Sequence, residues 1–150
     1  MTEKQIQNIL DKYDSLAEKH SFLLEELEWA VGKKSNQILN RIQKIEAKIE
    51  KVTTPVFFHY CDLIEKDVLE HFPELQIGNK VKLTYYTDND DVKTETLYFE
   101  RFWHFYIGDF NPHEPCIDTM VIFNPVLKSG KPGKKEITMN IMSVEKVEKI

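Results

Sequence analysis

Two short runs, His59-Tyr60-Cys61 and His113-Glu114-Pro115-Cys116, supply two histidines and two cysteines, the ligand set of a structural zinc site. Neither spacing is a standard one. On a helix, His-x-Cys sends its two members to different faces, whereas a tetrahedral ion needs them to converge. Cys61 falls in an apolar stripe and Cys116 opens a strand, both common places for small buried thiols. Core and loop roles therefore compete with zinc, and the expectation is of no metal and no cofactor. Asp88, Asp90 and Asp91 begin like a calcium loop, but the required glycine is Lys93 and the closing glutamate is Phe99. The acidic cluster reads as a turn.

A nucleophilic cysteine needs a histidine base and an activating environment, and nothing selects a pair among Cys61, Cys116 and the five histidines. Asp109, His113 and Glu114 could form an acid-base group in one loop, or serve only to solvate it. A pocket near Trp103, His104 and His113 is the form an enzyme or small-ligand binder would take. No glycine-rich phosphate loop, nucleophile elbow or metalloprotease helix motif is present.

Aromatic residues are the stronger signal. Phe99, Phe102, Trp103, Phe105, Tyr106 and Phe110 exceed what one inward-facing strand can bury, because alternation sends Phe102, His104 and Tyr106 to the face opposite Trp103 and Phe105. The helical part covers that second face, or it is an open platform for a peptide, a base or a partner protein. Lys128, Lys131, Lys134 and Lys135 lie on a loop that Gly130, Pro132 and Gly133 make flexible. Trp103, Tyr106 and Phe110, with Lys131, Lys134 and Lys135, are the candidate binding residues. Trp29, just before Lys33 and Lys34, adds a candidate contact on the helical arm or packs against the second helix.

The elements that must position these residues follow from periodicity. Ile6, Leu10, Tyr13, Ala17, His20, Leu24, Leu27 and Val31, widened by Ile9, Leu16, Leu23 and Ala30, define one face of a long helix with coiled-coil spacing. Gly32 closes it. Ser35 or Asn36 caps a second helix with the seam Ile38, Ile42, Ile45, Ile49 and Val52, and the short link makes the pair an antiparallel hairpin. Pro55 predicts a kink or a break, with Thr54 capping a third, connecting helix along Phe57, Cys61, Ile64, Val68 and Phe72.

Beyond Pro73 the period changes to two. Lys80 to Tyr86 is a strand, Asp88 to Asp91 a turn, and Val92 or Lys93 through Phe99 a returning antiparallel strand, continued by an extended aromatic stretch from Phe102 to Ile107. Arg101 falls on the otherwise apolar face of Leu97, Phe99, Trp103, Phe105 and Ile107, and a bulge or bend near Glu100 resolves the conflict. Ile117 to Phe123 and Ile137 to Met142 are further strands, followed by a short helical turn and a last short strand. In outline this resembles an SH3-like barrel, with an OB-type barrel or an open curled sheet as alternatives. The predicted fold is α+β, a helical hairpin over residues 1–75 followed by a small antiparallel β-domain over 76–150, packed as one unit.

Charge bounds the function. The net charge is −5, with ten Lys plus Arg against fourteen Asp plus Glu up to Gln76 and ten against eleven after it. Neither part is basic, and Arg41 and Arg101 are the sole arginines, which disfavours a general nucleic-acid binder. No apolar leader or membrane-length run occurs, so a soluble cytoplasmic protein with no membrane association is expected. The leading expectation is a non-enzymatic protein-interaction, adaptor or regulatory protein with a protein partner. Regulation or inhibition of nucleic-acid-processing machinery is the alternative. A hairpin ahead of a β-domain resembles the outline of bacterial transcript-cleavage factors, though their tip acids would fall near Lys33 to Asn36, where this chain is basic. Wide helical stripes also allow a homo-oligomer.

Overall fold

The computed structural model describes all 150 residues. Helix α1 spans Glu3–Trp29 and α2 spans Lys33–His71; five strands follow, β1 (Lys80–Tyr86), β2 (Val92–Phe105), β3 (Asp118–Pro125), β4 (Ile137–Asn140) and β5 (Val144–Lys149). A 3-10 turn, Ile141–Ser143, leads into β5. The chain forms two compact units, Met1–Tyr60 with Asp109–Pro115, and Cys61–Gly108 with Cys116–Ile150. Their division falls inside α2, whereas the change from helix to strand comes later, between His71 and Lys80. No helix is long and apolar enough to cross a membrane.

In the first unit, α1 begins with a reciprocal capping box between Thr2 and Gln5, which satisfies two of the backbone donors a helix start leaves orphaned. It ends at Trp29, earlier than Gly32, which instead takes a positive φ of 62° in the link. Leu23, Ile38 and Ile42 are buried between the helices, with Leu27, Ala30 and Ile45 packed around them. His20 Nε2 meets Glu46 Oε1 across the pair at 3.1 Å. The seam matches the apolar spacing, except that Leu24 and Val31 fall outside it and are exposed.

Helix α2 runs through Pro55 without interruption, so of the kink and the break that the sequence allows, the break is absent, and there is no separate third helix. Thr54 does not cap a new helix. Its hydroxyl donates to the Glu50 carbonyl at 2.6 Å, and the Thr53 hydroxyl to the Ile49 carbonyl at 2.8 Å. Such bonds from hydroxyl to the preceding turn accompany local bending around a residue that cannot donate its own N–H.

In the second unit the strands form one antiparallel sheet of order β4-β3-β2-β1-β5, open rather than closed into a barrel. Strand β5 returns to pair with β1, and the β1–β2 turn is set by Asp90 at φ 62°. Val81, Leu83 and Tyr85 of β1 and Leu97 and Phe99 of β2 alternate inward. Val121, Phe123, Met139, Val144 and Val147 complete the layer. The last turns of α2 cover this face through Ile64, Val68 and Leu69, with Phe72 and Leu75 beyond the helix end.

Of the bulge and the bend that Arg101 implies, the structure has the bulge: β2 shifts register against β3 between Phe99 and Arg101. An extra residue reverses which side chains point inward. Leu97 and Phe99 face the core before it; after it Phe102 packs against the core, and Arg101 and Trp103 turn out. The face of Leu97, Phe99, Trp103 and Phe105 that simple alternation implies is therefore divided between the two sides of the sheet.

Candidate functional site

Two groupings in the second unit could act chemically, and both depend on the bulge. The first is a line of polar atoms on the inner face. His104 Nε2 lies 2.8 Å from Glu65 Oε1 on α2, and its Nδ1 lies 2.9 Å from the Thr119 hydroxyl on β3. A carboxylate only accepts, so Nε2–H donates to Glu65, and Nδ1 takes the Thr119 hydroxyl as its donor in the neutral ring. The order carboxylate, imidazole, hydroxyl is that of an acid-base relay. Thr119, however, is 4% exposed, and the His104 ring is stacked on Phe102 at 6.2 Å. A hydroxyl with no solvent-side approach presents no nucleophile, and the line joins α2, β2 and β3 as a satisfied internal network.

Cys61, one turn before Glu65, is buried. Burial, followed by the negative charges of Glu65 and Asp62, pushes its thiol up to about 11. At neutral pH it carries its proton, the opposite of an activated nucleophile. Cys116 is exposed, and neither cysteine is in a disulfide. No group of three or more His, Cys, Asp or Glu side chains is placed to hold a metal ion. The zinc set does not assemble: the His59 ring lies edge-on to Tyr60, and His113 pairs with Asp14 of α1 at 2.6 Å, with Tyr13 against its ring. The loop holding Asp109 and His113 thus belongs to the helical unit, while His104 lies in the core of the sheet unit.

The second grouping is the outer face of the sheet. Trp103 is 52% exposed and stacks on Phe105 at 4.9 Å with 30° between the rings. Across the strands, Trp103 is in register with Met120, and Met120 with Asn140. Two residues earlier, Arg101 bonds Glu100 at 2.5 Å and Glu136 at 3.2 Å, so its guanidinium is engaged within the sheet. A large, half-exposed aromatic held by a second ring on rigid strands is the arrangement that anchors partners, because little side-chain freedom remains to be lost on contact.

The other candidate residues separate. Phe110 is buried, 8% exposed, with its ring edge-on to Phe57 at 5.5 Å; it is a core residue of the helical unit and presents no surface. Tyr106 is exposed just past the end of β2. Lys131, Lys134 and Lys135 are exposed, but their loop is tied down, contrary to the flexibility expected from its glycines. Tyr98 donates its hydroxyl to the Gly130 carbonyl. Leu127 N–H bonds Lys131 O at 2.9 Å, and Gly133 N–H bonds Pro125 O at 2.7 Å. The loop is anchored at Tyr98, before the bulge, and Trp103 lies after it. Trp29, at 86% exposure, does not pack against α2.

Sequence reasoning named His104 but missed Glu65 and Thr119. A signal existed for each: Thr119 alternates with Val121 and Phe123 on an otherwise apolar strand face, and Glu65 stands one turn from Cys61 on the buried side of α2. A polar residue on an apolar face calls for a partner. Comparison with protein-family models, with curated proteins and with solved structures gives no match.

Proposed function

We propose that this chain is a non-enzymatic protein-interaction or adaptor protein of the cytoplasm, with the outer sheet face around Trp103 as its recognition surface and the helical hairpin as a docking or spacing arm. The observation that carries this reading is the half-exposed Trp103, pre-stacked on Phe105 on the rigid side of a bulge. Trp29, at the end of α1, offers a second anchor at the tip of the arm. An enzyme reading finds less support, since the relay through His104 ends on a buried hydroxyl.

A regulator of nucleic-acid machinery is the second reading, supported by four lysines presented on one pinned loop. Both readings are tested by purifying tagged wild-type, Trp103→Ala and Lys131→Glu/Lys134→Glu/Lys135→Glu proteins from the native host and identifying stoichiometric partners. Loss of a protein partner from the Trp103→Ala sample alone is the expected result. Retention there, with loss from the lysine variant and polymerase or nuclease subunits among the partners, would replace the first reading with the second.

A further inference from the structure

Strand β2 has fourteen residues and β1 has seven, and the surplus leaves part of β2 paired on one side only. Its pairing with β1 ends at Lys80 opposite Tyr98. One further rung forms where Gly78 N–H bonds the Phe99 carbonyl and Phe99 N–H bonds the Asn79 carbonyl, both at 2.9 Å. From Arg101 to Phe105, β2 pairs with β3 alone.

In an antiparallel strand, alternate residues send both N–H and C=O to the same side. Phe99 directs its pair toward β1, and the bulge inserts one residue, so Phe102 and His104 are the next to do so. No backbone hydrogen bond is made to them from that side. Arg101, Trp103 and Phe105 turn their groups toward β3. The open edge is framed by exposed apolar side chains: Ile77 before the last rung, Trp103 on the outer face and Ile107 past the strand end.

Two orphan donors and two orphan acceptors spaced two residues apart are matched by an extended peptide backbone, and not by a helix, whose own groups are internally bonded. We infer that the edge of β2 at Phe102–His104 accepts an extended apolar segment of a partner protein as an added short strand, with alternate side chains lying against Trp103. This rests on the interaction reading above and names its partner's chemistry. A second copy of the chain offers the same edge, but two edges this short fall well below the about 1,200 Å² that stable interfaces bury.

The test uses the full chain, isotope-labelled for amide hydrogen exchange, and the strongest-binding peptide selected against it from a random linear phage library. In the free protein, the Phe102 and His104 amides should exchange about tenfold or more faster than that of Trp103. The peptide should slow both by about tenfold, and N-methylation of its alternate backbone amides, or Trp103→Glu in the protein, should weaken binding by about tenfold or more. A peptide that needs Trp103 yet leaves both amides unchanged overturns strand addition and leaves the interaction surface standing. Selection of no peptide, or binding indifferent to Trp103→Glu, overturns both. Protection that rises with protein concentration alone assigns the edge to a second copy and overturns the partner proposed here.

Discussion

In the helical unit the buried cluster is Leu23, Ile38 and Ile42; in the sheet unit it runs from Val68 and Leu75 through Leu83, Phe99, Val121 and Phe123 to Val147. A pair of helices shares one seam, and the rest of each circumference stays in water. A sheet with a helix on one face encloses a layer, and its alternating side chains meet neighbours from several strands. The difference teaches where large apolar residues carry stability and where they are left to act. Phe99 is held on all sides, while Trp29 and Trp103, of similar bulk, are held on few.

The largest effects should come from the sheet core. Phe99→Ala should cost about 3–5 kcal/mol, and Ile42→Ala in the hairpin about 2–3 kcal/mol, read from denaturant midpoints followed separately in the two units. Equal losses would break the contrast between a layered core and a single seam. Next comes the internal polar line. Glu65→Ala should cost about 1–3 kcal/mol, since it leaves His104 Nε2 without its acceptor, and Glu65→Gln should restore part of that loss. If Glu65→Ala is neutral, the line does not secure α2 to the sheet.

A pH effect of the same order sharpens the comparison, because its groups lie in the sheet unit. Burial raises the Cys61 thiol from 9.0 to about 11. Burial and then the hydrogen bond to Glu95 raise the Tyr85 phenol from 10.0 to about 12. A raised value means that the folded state holds the proton more tightly, so this stabilisation is complete below pH 9 and is lost as pH rises from 9 to 12. Glu95 is shifted the other way, chiefly by the Tyr85 hydroxyl, and its contribution is lost in acid. Denaturation midpoints should fall above pH 9 in the wild type and less steeply in Cys61→Ala. The smallest effect is expected at the exposed tryptophans: Trp29→Ala and Trp103→Ala should each change stability by no more than about 0.5 kcal/mol. A larger loss at Trp103 would mark it as a structural residue and remove the basis for a recognition surface.

The sequence was most readable where one period governs a segment. The seam of Ile38, Ile42, Ile45 and Ile49, the alternation of Val81, Leu83 and Tyr85, and the Asp88–Asp91 turn all appear as the spacing predicts. The misplaced Arg101 was enough to locate the bulge. What periodicity could not supply was the outcome of competition between distant groups. Whether Phe102 or Trp103 faces inward depends on which residue is the extra one, and on α2 arriving with Glu65 to meet His104. The glycines around Lys131 suggested freedom, but the loop's order comes from the Tyr98 hydroxyl, 32 positions away in sequence. Pro55 predicted a kink or a break, yet α2 runs through it, with the Thr53 and Thr54 hydroxyls bonded to carbonyls of the preceding turn. Phe110 could not be told from a platform residue, because its partner Phe57 lies on another element.

The bulge at Glu100 stores one residue of chain length that the pairing with β3 does not use. Deleting that one residue alters no aromatic side chain, yet it restores even alternation along β2. With Phe99 then followed directly by Arg101, Phe102 and His104 would stay on the core side and Trp103 and Phe105 on the outer face. The unpaired backbone groups would likewise stay at Phe102 and His104. A bulge thus takes up a residue more or less without exchanging inside and outside, and a surface of this kind can survive a one-codon insertion or deletion that would invert a strand forced to absorb it as a register shift.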